Sequence, residues 1–348
     1  MIWKKYITQL KLNGKIINIQ ELLSKNKPDI DNWQYSHFDF LKKWISDQET
    51  IQVKTSGSTG NPKIIKIHKD TFVHSALNTG NFFHLKSGNK VLLCLPGTYI
   101  AGQIMLVRAL VLGLDLYWQK PTSTPAINMN FDFCALTPMQ LENILKKDKQ
   151  SLNKIDKLII GGAPVSNWIL KEISDLNTQI YETYGMTETV SHIALKKING
   201  IDKNDFFTTL PNIEIDIDNR SCLVLKKSNL KTAEIVTNDI IELKDNRHFK
   251  WLGRADNIIN SGGIKLIPEK IEQKLRPFIE NEFFIFAIND KKYGQLPAIV
   301  IENSTEDIIP DFSTLDKYEI PKKIFYVKNF LKTTSGKIRR KDTLKLIL

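Results

Sequence analysis

Between about residue 50 and residue 185, short runs of branched apolar residues alternate with longer stretches whose apolar positions recur every three to four residues, the pattern of a sheet flanked by helices. Lys90 to Leu95 reads as a buried strand, Ile100 to Leu112 as a helix, and Leu114 to Trp118 and Phe131 to Leu136 as strands. Pro138 opens a helix that runs to Lys147. Lys157 to Ile160 is a short strand ending at Gly161-Gly162, Val165 to Ser174 is helical, and Gln179 to Glu182 is a strand ending at Tyr184-Gly185. Ligand crevices in such sheets lie beyond the carboxyl ends of the strands, so the two glycine-bearing strand ends are expected to face one crevice.

The helical pattern fades between about residues 190 and 252. Short runs at Ile213 to Ile217, Cys222 to Leu225 and Ile240 to Leu243 suggest a small antiparallel layer. After Trp251 a new unit begins, with a Ser261-Gly262-Gly263 turn, a helix carrying Pro268 in its first turn, and strands around Phe284 to Ile288, Ala298 to Ile301 and Ile324 to Val327. The expected class is α/β: a large N-terminal domain of helix-flanked sheets, then a small α+β domain. A chain of 348 residues exceeds one comfortable core, which agrees. No internal repeat is visible.

Composition narrows the function classes. Charged residues at 25% and hydrophobic residues at 42% are ordinary for a folded protein. The longest apolar stretch, Ile100 to Leu116, carries Gln103, Arg108 and Asp115 and falls short of the roughly 20 residues a bilayer span needs. No membrane span is expected. Met1-Ile2-Trp3-Lys4-Lys5 leads into no signal-like apolar core, so the expected location is cytoplasmic. Cys94, Cys134 and Cys222 stand too far apart for metal-ligand spacing and read as buried thiols, and the six histidines form no paired ligand pattern. The net charge of +11 raises nucleic-acid binding as a rival function. Scattered lysines, with one dense cluster at the C-terminal end, favour a solvated lysine-rich surface and no nucleic-acid partner.

The candidate chemistry starts at Thr55-Ser56-Gly57-Ser58-Thr59-Gly60-Asn61-Pro62-Lys63, between the strand-like runs Ile51 to Lys54 and Lys63 to Ile67. Gly57 and Gly60 free the backbone to bring N–H groups against a polyanion, and the hydroxyls of Thr55, Ser56, Ser58 and Thr59 with the Lys63 ammonium add donors. This is a phosphate-gripping loop, with a flexible linker as the plainer alternative. The common triphosphate-loop spacing is absent, and Gly336-Lys337-Ile338 lacks the hydroxyl that should follow its lysine.

Three further blocks follow in order: Tyr184-Gly185-Met186-Thr187-Glu188-Thr189 after Gly161-Gly162-Ala163-Pro164; Gly253 to Gly263; and Leu331 to Arg339. Together with the opening loop they resemble the acyl-adenylate-forming superfamily of acyl-CoA ligases, luciferases and peptide-synthetase adenylation domains, over roughly residues 50 to 348. Within it, Thr187 to Leu195 and the compact length look most like the 2-succinylbenzoate:CoA ligases of menaquinone biosynthesis.

The resemblance implies ATP and coenzyme A as substrates beside a small carboxylic acid, with Mg²⁺ as cofactor. It implies a large AMP-binding domain over 1–252, a hinge at 253–256 that includes Asp256, and a small mobile domain over 257–348. Thr55 to Lys63 would hold the β- and γ-phosphates, Thr187 would donate to the α-phosphate, and Glu188 would hold the metal. Tyr184 would stack on adenine, with Gly161, Gly162 and Ala163 lining the other side of the base beside Gly185. Asp239 would bind ribose and Arg254 the ribose or a phosphate, although Asn238 stands where the superfamily usually has glycine. Lys337 would neutralise the charge between acyl carboxylate and α-phosphate. Ser261, Gly262 and Gly263 would flank the pantetheine arm of CoA.

Two departures bear on the acid. Thr55 stands only about 50 residues into the chain, so a subdomain that relatives carry is expected to be missing, and a homodimer is one way the open side of the acyl pocket could be closed. Around Tyr99 and Gly102, relatives often place histidine or another aromatic; Tyr99 could serve there or be a core residue. 2-Succinylbenzoate has a second carboxylate that needs a donor or cation, and Ser191 and His192 are the nearest candidates, against a His192 satisfied in the core.

Overall fold

The computed structural model of the chain describes residues 1–24, 31–54, 64–228, 234–303, 310–333 and 337–347. The expected phosphate loop, Thr55 to Lys63, lies outside the described residues, as do Ser335 and Gly336. The chain divides into two compact units, Met1–Glu214 with Lys226–Glu234, and Ile215–Leu225 with Ile235–Leu348.

The first unit is built on one sheet. Asp115–Trp118, Lys90–Leu93, Phe131–Leu136, Ile155–Ile160 and Gln179–Gly185 lie side by side and parallel. Parallel strands covered on both faces read as continuous apolar runs, and Val91, Leu92 and Leu93 are all fully buried. The sheet gains Gln9–Leu12 and Lys15–Asn18 at one edge, and antiparallel His192–Lys197 and Phe207–Thr209 at the other. The N-terminal hairpin turns on Asn13-Gly14, with φ of 51° and 80°, the left-handed pair a tight two-residue hairpin requires.

The helix Ile100–Leu112 forms where its pattern predicts and ends at Gly113, whose φ of 65° suits a left-handed cap. Pro138–Asp148 starts with its proline in the first turn, behind a Thr137 cap that accepts from the Gln140 N–H. The predicted helix over Val165 to Ser174 is shorter, Asn167–Glu172, because Ser166 caps its start. A 15-residue helix, Lys69–Phe83, was not visible in the pattern. The two strand-like runs flanking the loop form strands, Thr50–Lys54 and Ile64–His68, which pair with each other antiparallel.

Cys222–Ser228, Ile235–Asp245 and His248–Arg254 form the expected antiparallel layer. A second sheet orders Ile264–Leu266, Ile259–Ser261, Gly294–Glu302 and Phe283–Asp290, with Ile324–Val327 parallel to Gly294–Glu302. The helix Pro268–Leu275 buries Ile271 and Leu275 in the core with Phe283 and Ile285, and Phe284, Phe286 and Val300 pack as a separate cluster. All three cysteines are buried and free. Among the described residues, no helix is long and apolar enough to cross a membrane.

Candidate active site

In the first unit, Ile160 and Glu182 are register partners on adjacent parallel strands, so Gly161-Gly162 leaves the sheet beside Thr183-Tyr184-Gly185, which extends the predicted strand and stays paired with His192–Lys197. The Thr183 hydroxyl donates to the Ile160 carbonyl at 3.1 Å, and a Cβ on Gly161 would stand 2.5 Å from that hydroxyl oxygen. Any side chain at Gly161 would therefore displace Thr183. Tyr184 is half-buried, its ring 5.9 Å from Phe207. A short 3₁₀ turn, Thr187–Thr189, follows. It buries Thr189, whose hydroxyl donates to the Ser191 carbonyl at 2.8 Å, and leaves Glu188 exposed. Val190 then takes a φ of 68°, a strained value for a β-branched residue, and the chain turns into Ser191 and His192.

That turn delivers both residues to a cation the sequence did not single out. Arg108, on Ile100–Leu112, is 1% exposed. Its guanidinium donates to the Ser191 hydroxyl at 3.0 Å and lies 3.4 Å from His192 Nδ1, while His192 Nε2 is 3.3 Å from the Thr79 hydroxyl. Among the described residues no carboxylate pairs with Arg108. Burial lowers the guanidinium to about 9, still charged at neutral pH. Burial, then the Arg108 charge, holds the His192 imidazole well below its usual value, so it is neutral. Of the groups here, Arg108 supplies the cation, and Ser191 and His192 set its surroundings. A sequence signal existed: Arg108 is the one polar residue in the apolar run Ile104 to Val111, and with that whole run buried it has no solvent face to occupy.

Tyr99 immediately precedes the same helix and is 52% exposed, which removes the core-tyrosine reading. Gly102 lies against the Pro96 carbonyl so closely that a Cβ would overlap it. The preceding turn is held from the N-terminal side: His37 Nε2 is 2.8 Å from the Leu95 carbonyl, and a Cβ on Gly97 would stand 2.7 Å from the His37 backbone nitrogen.

The second unit assembles a separate set. Arg254 donates to Asp239 at 3.2 Å and to Asp256 at 2.6 Å, and Trp251 Nε1 donates to Asp239 at 3.3 Å. Asn238, the departure from the superfamily pattern, donates to Asp256 at 3.0 Å. Lys337 is half-buried. Desolvation lowers its ammonium below the usual lysine value, with the Asp239 charge opposing and the Arg254 charge assisting. Ser261 is buried, and Gly262 and Gly263 turn the hairpin with φ of 58° and 86°.

A sequence profile described as AMP-binding enzyme matches residues 43–228, over half the chain. The chain belongs to the AMP-binding enzyme family. A 2-succinylbenzoate–CoA ligase of Listeria innocua is 25% identical over 90% of this chain and 73% of its own length. Among solved structures, an acyl-CoA synthetase (AMP-forming)/AMP-acid ligase II-like protein from Dyadobacter fermentans is 36% identical, with a TM-score of 0.64 over 94% of this chain and 98% of that one. The O-succinylbenzoate coenzyme A synthetase of Bacillus subtilis, in complex with ATP and magnesium ion, is 19% identical, with a TM-score of 0.73 over 91% of this chain and 78% of that one. The fold is that of the adenylate-forming enzymes. The AMP-binding profile covers the Gly161, Tyr184 and Glu188 segments and stops before Asp239, Arg254 and Lys337.

Proposed function

We propose that this protein is an ATP-dependent carboxylate:CoA ligase that converts 2-succinylbenzoate to its CoA thioester through an acyl-AMP. In the first step a carboxylate oxygen attacks the α-phosphorus of ATP, the bond from that phosphorus to the bridging oxygen breaks, and pyrophosphate leaves. Lys337 neutralises the two anions as they meet, and Thr187 donates to the α-phosphate. Tyr184 and the Gly161-Gly162-Ala163 backbone bracket adenine, and Asp239 with Arg254 receives the ribose.

Glu188 fits Mg²⁺: it is exposed on its turn, and a hard cation commonly takes one carboxylate and completes its shell with phosphate oxygens and water. When bound, the ion would draw negative charge from the phosphates. In the second step the thiolate of CoA attacks the acyl carbonyl and AMP departs, with Ser261-Gly262-Gly263 beside the pantetheine arm and residues 253–256 as the hinge between the two reactions. The need for ATP and CoA supports the cytoplasm as the compartment.

The observation that carries the choice of acid is Arg108, a buried guanidinium with no acid partner among the described residues, held beside Ser191 and His192. It suits the second carboxylate of a diacid. The test is mass-spectrometric detection of AMP and the thioester after mixing protein, ATP, Mg²⁺, CoA and 2-succinylbenzoate, with Lys337→Ala alongside. The expected result is thioester from the wild type and a drop of about 10²-fold or more in the variant. AMP formed only with another acid discards 2-succinylbenzoate, and no AMP with any acid sinks the ligase reading.

A further inference from the structure

Lys337 sits on the return arm of a small hairpin. Lys332 bridges to Ile338, the Thr333 N–H donates to the Lys337 carbonyl at 2.8 Å, and the Arg339 N–H donates to the Leu331 carbonyl at 2.7 Å. Three residues beyond Lys337, Arg340 begins the helix Arg340–Leu344, and its guanidinium reaches across to Pro268–Leu275. It donates to Glu272 at 2.8 Å and stands 3.7 Å from Glu269, over the Phe284 ring at 5.2 Å. Both carboxylates are buried, 5% exposed for Glu269 and 8% for Glu272. Spaced three apart, they share one helix face.

Neither acid serves Arg340 alone. Glu272 also accepts from the Ile285 N–H at 2.8 Å, and Glu269 accepts from Asn257 at 2.6 Å and from the Arg254 N–H at 3.5 Å. Thus Glu269 holds the backbone of the arginine whose side chain pairs with Asp239, while its neighbour Glu272 holds the arginine that closes the Lys337 hairpin. Gly253 makes this possible, since a Cβ there would stand 2.5 Å from Glu269 Oε2.

We propose that Arg340 is a positioning residue for Lys337: its bridge to Glu272 and Glu269 fixes the stem of the hairpin and so holds the Lys337 ammonium in place. This rests on the ligase reading, in which Lys337 serves acyl-adenylate formation alone. A loosened stem then slows the first half-reaction and spares the second. Arginine suits the task because its planar fork can face two carboxylates at once, whereas lysine offers a single point charge.

The test compares full-length wild type with R340K, E272Q and K337A. The first arm measures pyrophosphate release with ATP, Mg²⁺ and 2-succinylbenzoate, and separately thioester formation from chemically prepared acyl-adenylate and CoA. In R340K, adenylation should fall by about 10-fold or more, while thioester formation stays within about twofold of wild type. Parallel loss of both half-reactions, or loss of neither, overturns the proposal. The second arm needs no turnover: Lys337 is labelled with an amine-acylating reagent across a pH series and read by mass spectrometry. The charged groups acting on it, Asp239 and Arg254, are untouched in R340K, so a shift of its reactivity profile toward that of an ordinary lysine reports a moved side chain. An unmoved profile overturns the proposal whatever acid the enzyme uses. Wild-type protein that releases no pyrophosphate with any acid overturns the ligase reading instead, and the labelling arm still decides the role of Arg340.

Discussion

Arg108 is fully buried and Arg340 half-buried, and their surroundings are opposite. Arg108 meets a hydroxyl, an imidazole nitrogen and the Met105 thioether. Arg340 meets two buried carboxylates. Isolating a charge in an apolar helix is costly, and a fold tolerates it where an incoming ion completes the pair. The first arginine is the one proposed to meet an anionic ligand, whereas the second already faces two carboxylates of its own chain. The same residue type reads as recognition in one unit and as architecture in the other.

The largest effect expected from this contrast is on stability. Arg340→Ala leaves Glu269 and Glu272 facing each other, and burial already raises the Glu269 carboxyl above its usual value. The cost should be roughly 3 kcal/mol, the lower end for a broken buried pair because Arg340 keeps some exposure. Urea denaturation would measure it. Arg108→Met should do the reverse: no loss of stability, but an increase of about 10- to 100-fold in KM for the diacid, as a charge-assisted hydrogen bond to the ligand is lost. If Arg108→Met destabilises the protein as much as Arg340→Ala, or leaves KM unchanged, the contrast fails.

The smallest effect is a pH slope. The folded His192 imidazole resists protonation, whereas the unfolded one takes a proton near 6.5. The unfolded state then binds more protons as pH falls, so stability should drop by about 1 kcal/mol between pH 6.5 and 5.5. His192→Gln should remove that slope from the difference between denaturation midpoints at the two pH values.

Much of the fold was legible because burial and periodicity agree. Ile100–Leu112 and Phe131–Leu136 form where the apolar pattern predicts them. Lys69–Phe83 was missed for a physical reason: Lys69, Asp70, Thr71, Ser75, Asn78 and Thr79 are all buried, so polar residues occupy the face where apolar ones would announce a helix. The site divides in the same way. Contiguous motifs exposed Tyr184, Glu188 and Lys337. Arg108 with Ser191, and Arg340 with Glu272, are contacts between residues 83 and 68 positions apart, and no local pattern records them.

The bond from His37 to the Leu95 carbonyl carries a consequence for anyone who handles or mutates this gene product. It ties Tyr35–Ile45 to the turn that launches Tyr99, Gly102 and Arg108. On the proposed function, a missense lesion at His37 should therefore present itself in an assay as altered acid preference, and a geneticist mapping that phenotype would be drawn to a position 58 residues before the turn it holds.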